Sequence, residues 1–138
     1  MQSPDLSWMI GRRIREITIV EPISWWFYLS DGGSVRADTL WRIVAGRRIQ
    51  VTSSDHGQWF GLPKPVDSAA RALEVLSNSL INQASFGNDS GDVRLGFDND
   101  SRLEILTTSL AYEGWSIFFP NGDEAIGLGG GEIELRPA

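Results

Sequence analysis

The sequence predicts an α+β fold, mostly antiparallel and strongly curved β-sheet, made from two similar β-meander units joined by one α-helix. Three observations predict it. Short runs rich in Ile, Val, Trp and Phe alternate with turns rich in Gly, Asn and Asp. A single stretch, residues 66–80, repeats apolar residues at helical rather than strand spacing. The segments on either side of that stretch resemble each other.

The first strand is read over Arg13 to Val20, from Ile14, Ile17, Ile19 and Val20, although the step from Ile14 to Ile17 breaks clean alternation. Pro22 interrupts it. Trp25 to Ser30 is an aromatic strand, Asp31-Gly32-Gly33 a hairpin turn, and Val35 to Asp38 the return strand. Trp41 to Ala45 and Arg48 to Thr52 flank Gly46-Arg47 as a second hairpin. A polar loop then runs from Ser53 to Pro65. In the helix Asp67 or Ser68 is the cap, and Ala69, Leu73, Leu76 and Leu80 form the apolar stripe. Strands return at Ile81–Phe86, Val93–Phe97, Leu103–Thr107, Trp115–Phe119 and Ala125–Leu128, and the alternating Glu132-Ile133-Glu134-Leu135 adds one more.

Phe27, Leu29, Val35 and Ala37 line up with Leu95, Phe97, Leu103 and Ile105 at a constant shift of 68. Trp41 and Ile43 then match Trp115 and Ile117. The domain organisation read from this is one domain, 1–138, with a first β unit over 11–53, the linking helix over 66–80 and a second unit over 81–135. Each unit alone leaves an apolar face uncovered, so the two must cover each other or pack on the helix.

Composition removes whole classes of function. With no cysteine among 138 residues there is no disulfide framework, thiolate metal site or cysteine nucleophile, and the single His56 excludes a multi-histidine site within one chain. No cofactor or metal is expected. The net charge of −6 divides unevenly: Met1 to Pro65 carries +2 and Val66 to Ala138 carries −8. An acidic half opposes nucleic-acid binding, which draws on Lys and Arg at phosphates, and suits either solubility or a basic partner. The apolar cluster Ile23–Leu29 is too short to span a bilayer and no leader is visible, so the expected location is cytoplasmic with no membrane contact.

The densest polar stretch is Thr52-Ser53-Ser54-Asp55-His56-Gly57-Gln58. An Asp beside a His among hydroxyls can move protons near neutral pH, which makes Asp55 and His56 the catalytic candidates. Adjacent residues of an extended chain point apart, however, and a loop with His56 tied to backbone accounts for the same pattern. Asp98-Asn99-Asp100 opens like a calcium loop but has Leu103 where Gly is needed and Ser109 where the bidentate Glu belongs. The run Gly127-Leu128-Gly129-Gly130-Gly131 lacks the Lys, the Ser or Thr and the helix of a phosphate loop. Tyr112-Glu113-Gly114-Trp115 sets a carboxylate before a strand, with Arg42 in the corresponding neighbourhood of the first unit as its expected ion-pair partner. Trp25 and Trp26 must face opposite ways, so one of them is exposed or covered by another element, and an exposed Trp is a natural interface anchor.

With Trp41-Arg42, Ser53 to Gln58, Gly61-Leu62-Pro63, Tyr112-Glu113-Gly114-Trp115 and Gly129-Gly130-Gly131 in view, the chain resembles a bacterial family of unknown function. Its members are small single-domain proteins with a Tyr-Glu-x-Trp signature, and the resemblance covers about Gly11 to Leu135. It carries over no catalytic residues. Some small acidic families of this kind act as immunity proteins that neutralise a toxin, and the resemblance extends to this role by analogy alone.

The expected function is therefore a non-enzymatic protein-binding module, immunity-like, with a basic partner. Its binding residues would come from Trp25, Trp26, Arg42, Ser53, Asp55, His56, Gln58, Tyr112 and Glu113. The alternative is a small hydrolase-type enzyme using Asp55 and His56, and a homodimer through sheet extension or the exposed Trp is a third arrangement.

Overall fold

The structure is a computed structural model that describes residues 3–21 and 23–138; Pro22, expected to interrupt the first strand, lies outside the described residues. Eleven strands and one α-helix follow in order: β1 Ile14–Val20, β2 Ser24–Leu29, β3 Ser34–Ala37, β4 Trp41–Ala45, β5 Arg48–Thr52, α1 Ser68–Leu76, β6 Ile81–Phe86, β7 Val93–Phe97, β8 Arg102–Ile105, β9 Trp115–Phe118, β10 Glu124–Gly127 and β11 Ile133–Arg136. All strand pairs are antiparallel. No described helix is long and apolar enough to cross a membrane.

The strands form two sheets rather than one curved sheet. The first has the order β1-β2-β3-β9-β10-β11 and the second β5-β4-β8-β7-β6. The reason lies at two connections, Asp38–Leu40 and Leu106–Gly114. At each, the chain leaves its own sheet after a three-stranded meander and adds its next hairpin to the opposite sheet. Inner faces of both sheets share one core. Trp41 on the second sheet meets Trp25 and Phe27 of the first edge-on at 5.2 and 5.3 Å, while Trp115 on the first sheet stacks on Phe86 of the second at 5.4 Å. A fully buried Trp removes on the order of 200 Å² from water, worth about 5 kcal/mol of transfer free energy, so each of these two is a large single contribution to the contact between layers.

Registers of β1–β3 recur in β6–β8, whereas β4–β5 bulges between Ile43 and Val44 and β9–β10 does not. Trp25, Trp26, Phe27 and Tyr28 face Ala37, Arg36, Val35 and Ser34; displaced by 68, Val93, Arg94, Leu95 and Gly96 face Ile105, Glu104, Leu103 and Arg102. β1 bulges between Ile14 and Glu16, and β6 between Ile81 and Gln83. The bulge explains the broken alternation: the extra residue, Arg15, lets Ile14 and Ile17 both point inward. Seams between the halves match as well, Trp41 opposite Ile105 and Ile43 opposite Leu103 on one sheet, Trp115 opposite Ala37 and Ile117 opposite Val35 on the other.

The helix is shorter than 66–80. Asp67 caps it, its carboxylate accepting from the Ala70 N–H at 3.1 Å. Ser77 and Asn78, at φ 51° and 57°, end it in the left-handed region, which leaves Leu80 outside and half-exposed. Ala72 and Leu76 are its buried anchors, and it lies along β1, β5 and β4, closing one open side between the sheets.

The two tryptophans differ in one respect. The Trp115 Nε1 donates to the Gly91 carbonyl at 3.0 Å, whereas the buried Trp41 Nε1 has no hydrogen-bond partner among the described residues. Trp115→Phe should therefore cost about 1 kcal/mol more than Trp41→Phe in urea unfolding, because it alone strands a buried carbonyl. Equal losses would show that the indole bond contributes nothing net.

Candidate functional site

The residues singled out from the sequence are dispersed over several places. Trp25 is core, wedged between Trp41 and the His56 ring. Trp26 points the other way, onto the outer face of the six-stranded sheet, where it stacks on Phe118 at 5.5 Å and Tyr28 at 6.1 Å with the Arg36 guanidinium over it.

The Ser53–Gln58 stretch is spent on backbone. Ser53–Asp55 is one turn of 3-10 helix, and the Asp55 carboxylate accepts from the Thr52 N–H at 3.1 Å. Ser53 Oγ accepts from the Trp41 N–H. His56 Nδ1 accepts from the Ser68 N–H at 3.1 Å, so the ring proton sits on Nε2, and its face is edge-on to Trp25. Asp55 and His56 therefore serve two different backbone groups and do not form an acid–base dyad. Gln58 is exposed, its carbonyl accepting from the Val66 N–H.

Arg42 does not pair with Glu113. It lies on the outer face of the five-stranded sheet, where cross-strand register places Ser85, Arg94, Glu104, Arg42 and Thr52 in one row and Gln83, Gly96, Arg102, Val44 and Ile49 in the next. Arg42 Nε donates to Glu104 Oε1 at 2.7 Å and Arg102 Nε to Oε2 at 3.0 Å. Burial pushes the Glu104 carboxyl up, but the hydrogen bond from Arg42 and the charges of Arg102 and Arg42 outweigh it, leaving the group below its ordinary 4.5. Charge counted by halves of the sequence misses this contact, because β4 and β8 come from different halves.

Asp98-Asn99-Asp100 is a helix stop and turn. Asp98 accepts from the Leu80 N–H, and the Asn99 amide donates to the carbonyls of Val75 and Leu76 at the end of α1. Among the described residues no three His, Asp or Glu side chains are gathered as a metal site. The glycine run serves close packing: a Cβ on Gly129 would lie 2.4 Å from the Ala111 backbone.

What the sequence reading missed is a surface assembled from connections. The segments 38–40, 87–92, 106–114 and 128–132 join strands at one end of the sandwich, where 53–67 also leaves β5 for α1 and the chain passes from β1 to β2. Hydrogen bonds hold several of them together: Ser24 Oγ to Asp38, Asp38 N–H to the Gly114 carbonyl, Leu106 N–H to the Leu40 carbonyl, Thr107 N–H to Asp92, and Gly130 N–H to the Ser109 carbonyl. Large apolar side chains stand out from this end. Trp59, Phe60 and Leu62 are 57%, 66% and 51% exposed, Leu110 and Tyr112 88% and 81%, with Ile23 and Leu40 also exposed. The loop that carries the first three is fixed at its base. Gly57 N–H donates to Val66 O, Val66 N–H to Gln58 O, and Leu62 N–H to Trp59 O across a tight turn with Phe60 at φ 46°.

The charge of this end is one-sided. Glu21, Asp38, Asp55 and Asp67 lie in its first-half connections, Asp89, Asp92, Glu113 and Glu132 in its second-half ones, and Lys64 is the sole cation. Of the eight carboxylates only Asp38 faces a guanidinium among the described residues, Arg36 at 3.4 Å. An open groove of about 310 Å³ runs between the connections, lined by Ile23, Asp38, Thr39, Leu40, Ser53, Ser54 and Thr108.

Glu104→Gln should destabilise the protein by about 1–2 kcal/mol at neutral pH, since both arginines are partly solvated and screened. A carboxylate held below its ordinary 4.5 contributes stability above that pH and loses it as pH falls through the folded value. The gap between wild type and Glu104→Gln in chemical unfolding should therefore close on acidification below 4.5, and a gap independent of pH would assign it to packing.

No curated protein and no solved structure matches the chain significantly. The sequence profile of a family of unknown function, DUF6188, matches residues 5–136, and the chain belongs to that family.

Proposed function

We propose that this protein is a non-enzymatic binding module that docks a basic protein partner on the connection end of its sandwich. The observation that carries the reading is the coincidence, on one end, of exposed Trp59, Phe60, Leu62, Leu110 and Tyr112 with eight carboxylates and one lysine. Aromatic side chains surrounded by a single sign of charge suit a partner of the opposite sign. The field speeds encounter and the aromatics supply burial once water leaves. Loops on a rigid β-scaffold are a recurrent place for recognition, because they vary without disturbing the core. Phe60 in the left-handed region supports the same reading, since a non-glycine residue there costs of order 1 kcal/mol.

An immunity-like inhibitor is the form this takes: an acidic, apolar-centred surface covers a basic toxin and blocks it. Catalysis by Asp55 and His56 draws no support from the geometry, both being occupied by backbone N–H groups. We also read β1–β5 and β6–β10 as two copies of one unit, supported by the registers and the bulge that β1–β3 shares with β6–β8. In this reading the copies differ most where they connect, the first carrying the long 53–67 loop and the second the 106–114 loop.

A photo-crosslinking residue at position 62, introduced in the native host, tests the proposal. The expected product is one adduct with a basic protein, lost in the Trp59→Ser/Phe60→Ser variant while the melting temperature holds, as exposed substitutions change stability by about 0.5 kcal/mol or less. An adduct with lipid, with a second copy of this chain, or with no protein at all would overturn it.

A further inference from the structure

We infer that the outer face of the five-stranded sheet is a second binding surface, which takes an acidic segment of a protein partner through Arg42, Arg94 and Arg102. Glu104 engages Arg42 and Arg102 by their Nε atoms and so aims both guanidinium groups, leaving their terminal nitrogens without a partner among the described residues. Arg94, on the other side of Glu104 in the same cross-strand row, is exposed and has no ion pair among the described residues. Three cations against one carboxylate make this patch positive on a chain of net charge −6. At physiological ionic strength screening acts over about 8 Å, so local sign outweighs net charge once a ligand is close.

Spacing selects the occupant. Arg94 and Arg42 are two strands apart, about 10 Å between Cα atoms, and Arg102 sits two residues along β8 from Glu104, about 7 Å away. Three donors so separated suit carboxylates distributed along a peptide better than one compact oxyanion, and each fork can take a carboxylate in bidentate fashion. Neither outward row contains Phe, Tyr or Trp, so bases of single-stranded nucleic acid would find nothing to stack on.

The same lattice position on the other sheet has different chemistry. Where the second sheet has Arg94, Glu104 and Arg42, the first has Trp26, Arg36 and Ser116 at matching registers. The cationic surface is thus confined to one of the two outer faces, and it lies apart from the acidic connection end.

Fluorescence anisotropy with a labelled hexaglutamate peptide on the full chain decides the matter. Binding should weaken about tenfold in Arg94→Glu, whose side chain holds no ion pair, and by less than about threefold in Arg94→Lys. Trp59→Ser/Phe60→Ser should leave the affinity unchanged, which separates this surface from the connection end. Absence of peptide binding, binding indifferent to Arg94→Glu, or equal competition by inorganic diphosphate or a six-nucleotide single strand would overturn the inference.

Discussion

Everything in this fold rests on one constraint: a three-stranded meander exposes an apolar face that it cannot cover by itself. Phe27, Leu29, Val35 and Ala37 form that face in the first half, and Leu95, Phe97, Leu103 and Ile105 in the second. Each half meets the constraint by sending its next hairpin to the opposite sheet, where Trp41 and Trp115 fill the space between layers. The halves are consequently interlocked through the β3–β9 and β4–β8 seams, and neither can keep a closed core alone.

That interlocking also decides where recognition can occur. The hairpin tips are short and polar, with Asp31-Gly32-Gly33, Gly46-Arg47 and Asn121-Gly122 making the turns. The long connections fall at the other end, because β1, β3, β5, β6, β8 and β10 all finish there, whereas the helix returns the chain to β6 from the hairpin-tip end. Chain length accumulates at that end for topological reasons, the exposed aromatics and carboxylates are carried on it by the sequence, and the two outer faces are left to differ by side chain alone.

Much of this was legible in the sequence, and the pattern of what was not is physical. Strand bounds were read to within one or two residues, since alternation and Gly, Asn or Asp turns are local signals. The irregular step between Ile14 and Ile17 marked a real bulge. Alternation fixes which face a residue takes but not which strand lies beside it, and so the division into two sheets was invisible. The same blindness led from Arg42 to Glu113, two sequence-matched neighbourhoods, when the actual partner Glu104 lies on the facing strand β8. His56 and Asp55 stood out by type, and only geometry shows them bonded to Ser68 and Thr52. The apolar loop at Trp59–Leu62 was in plain view, but without the fold its aromatics could not be told from core.

The β1–β3 and β6–β8 segments share strand registers, and the connection that follows β6 is held differently from the one that follows β1. In the second half Gly91 offers its carbonyl to the Trp115 indole and also packs against the Gly131 backbone, so the 87–92 turn is tied into the core. Displaced by 68, the corresponding residue is Ile23, and the Trp41 indole finds no acceptor among the described residues. Ile23 instead turns outward, exposed at the rim of the groove beside Leu40 and Ser53. One half ties its loop into the core, and the other leaves an indole N–H unpaired among the described residues and keeps an apolar side chain facing solvent. An unsatisfied donor in a core costs of order 1 kcal/mol or more, and it persists most readily where the geometry that would satisfy it conflicts with a use for the loop. The asymmetry between Trp41 and Trp115 thus points from inside the core to the same end of the sandwich that the exposed aromatics and the carboxylates mark from outside.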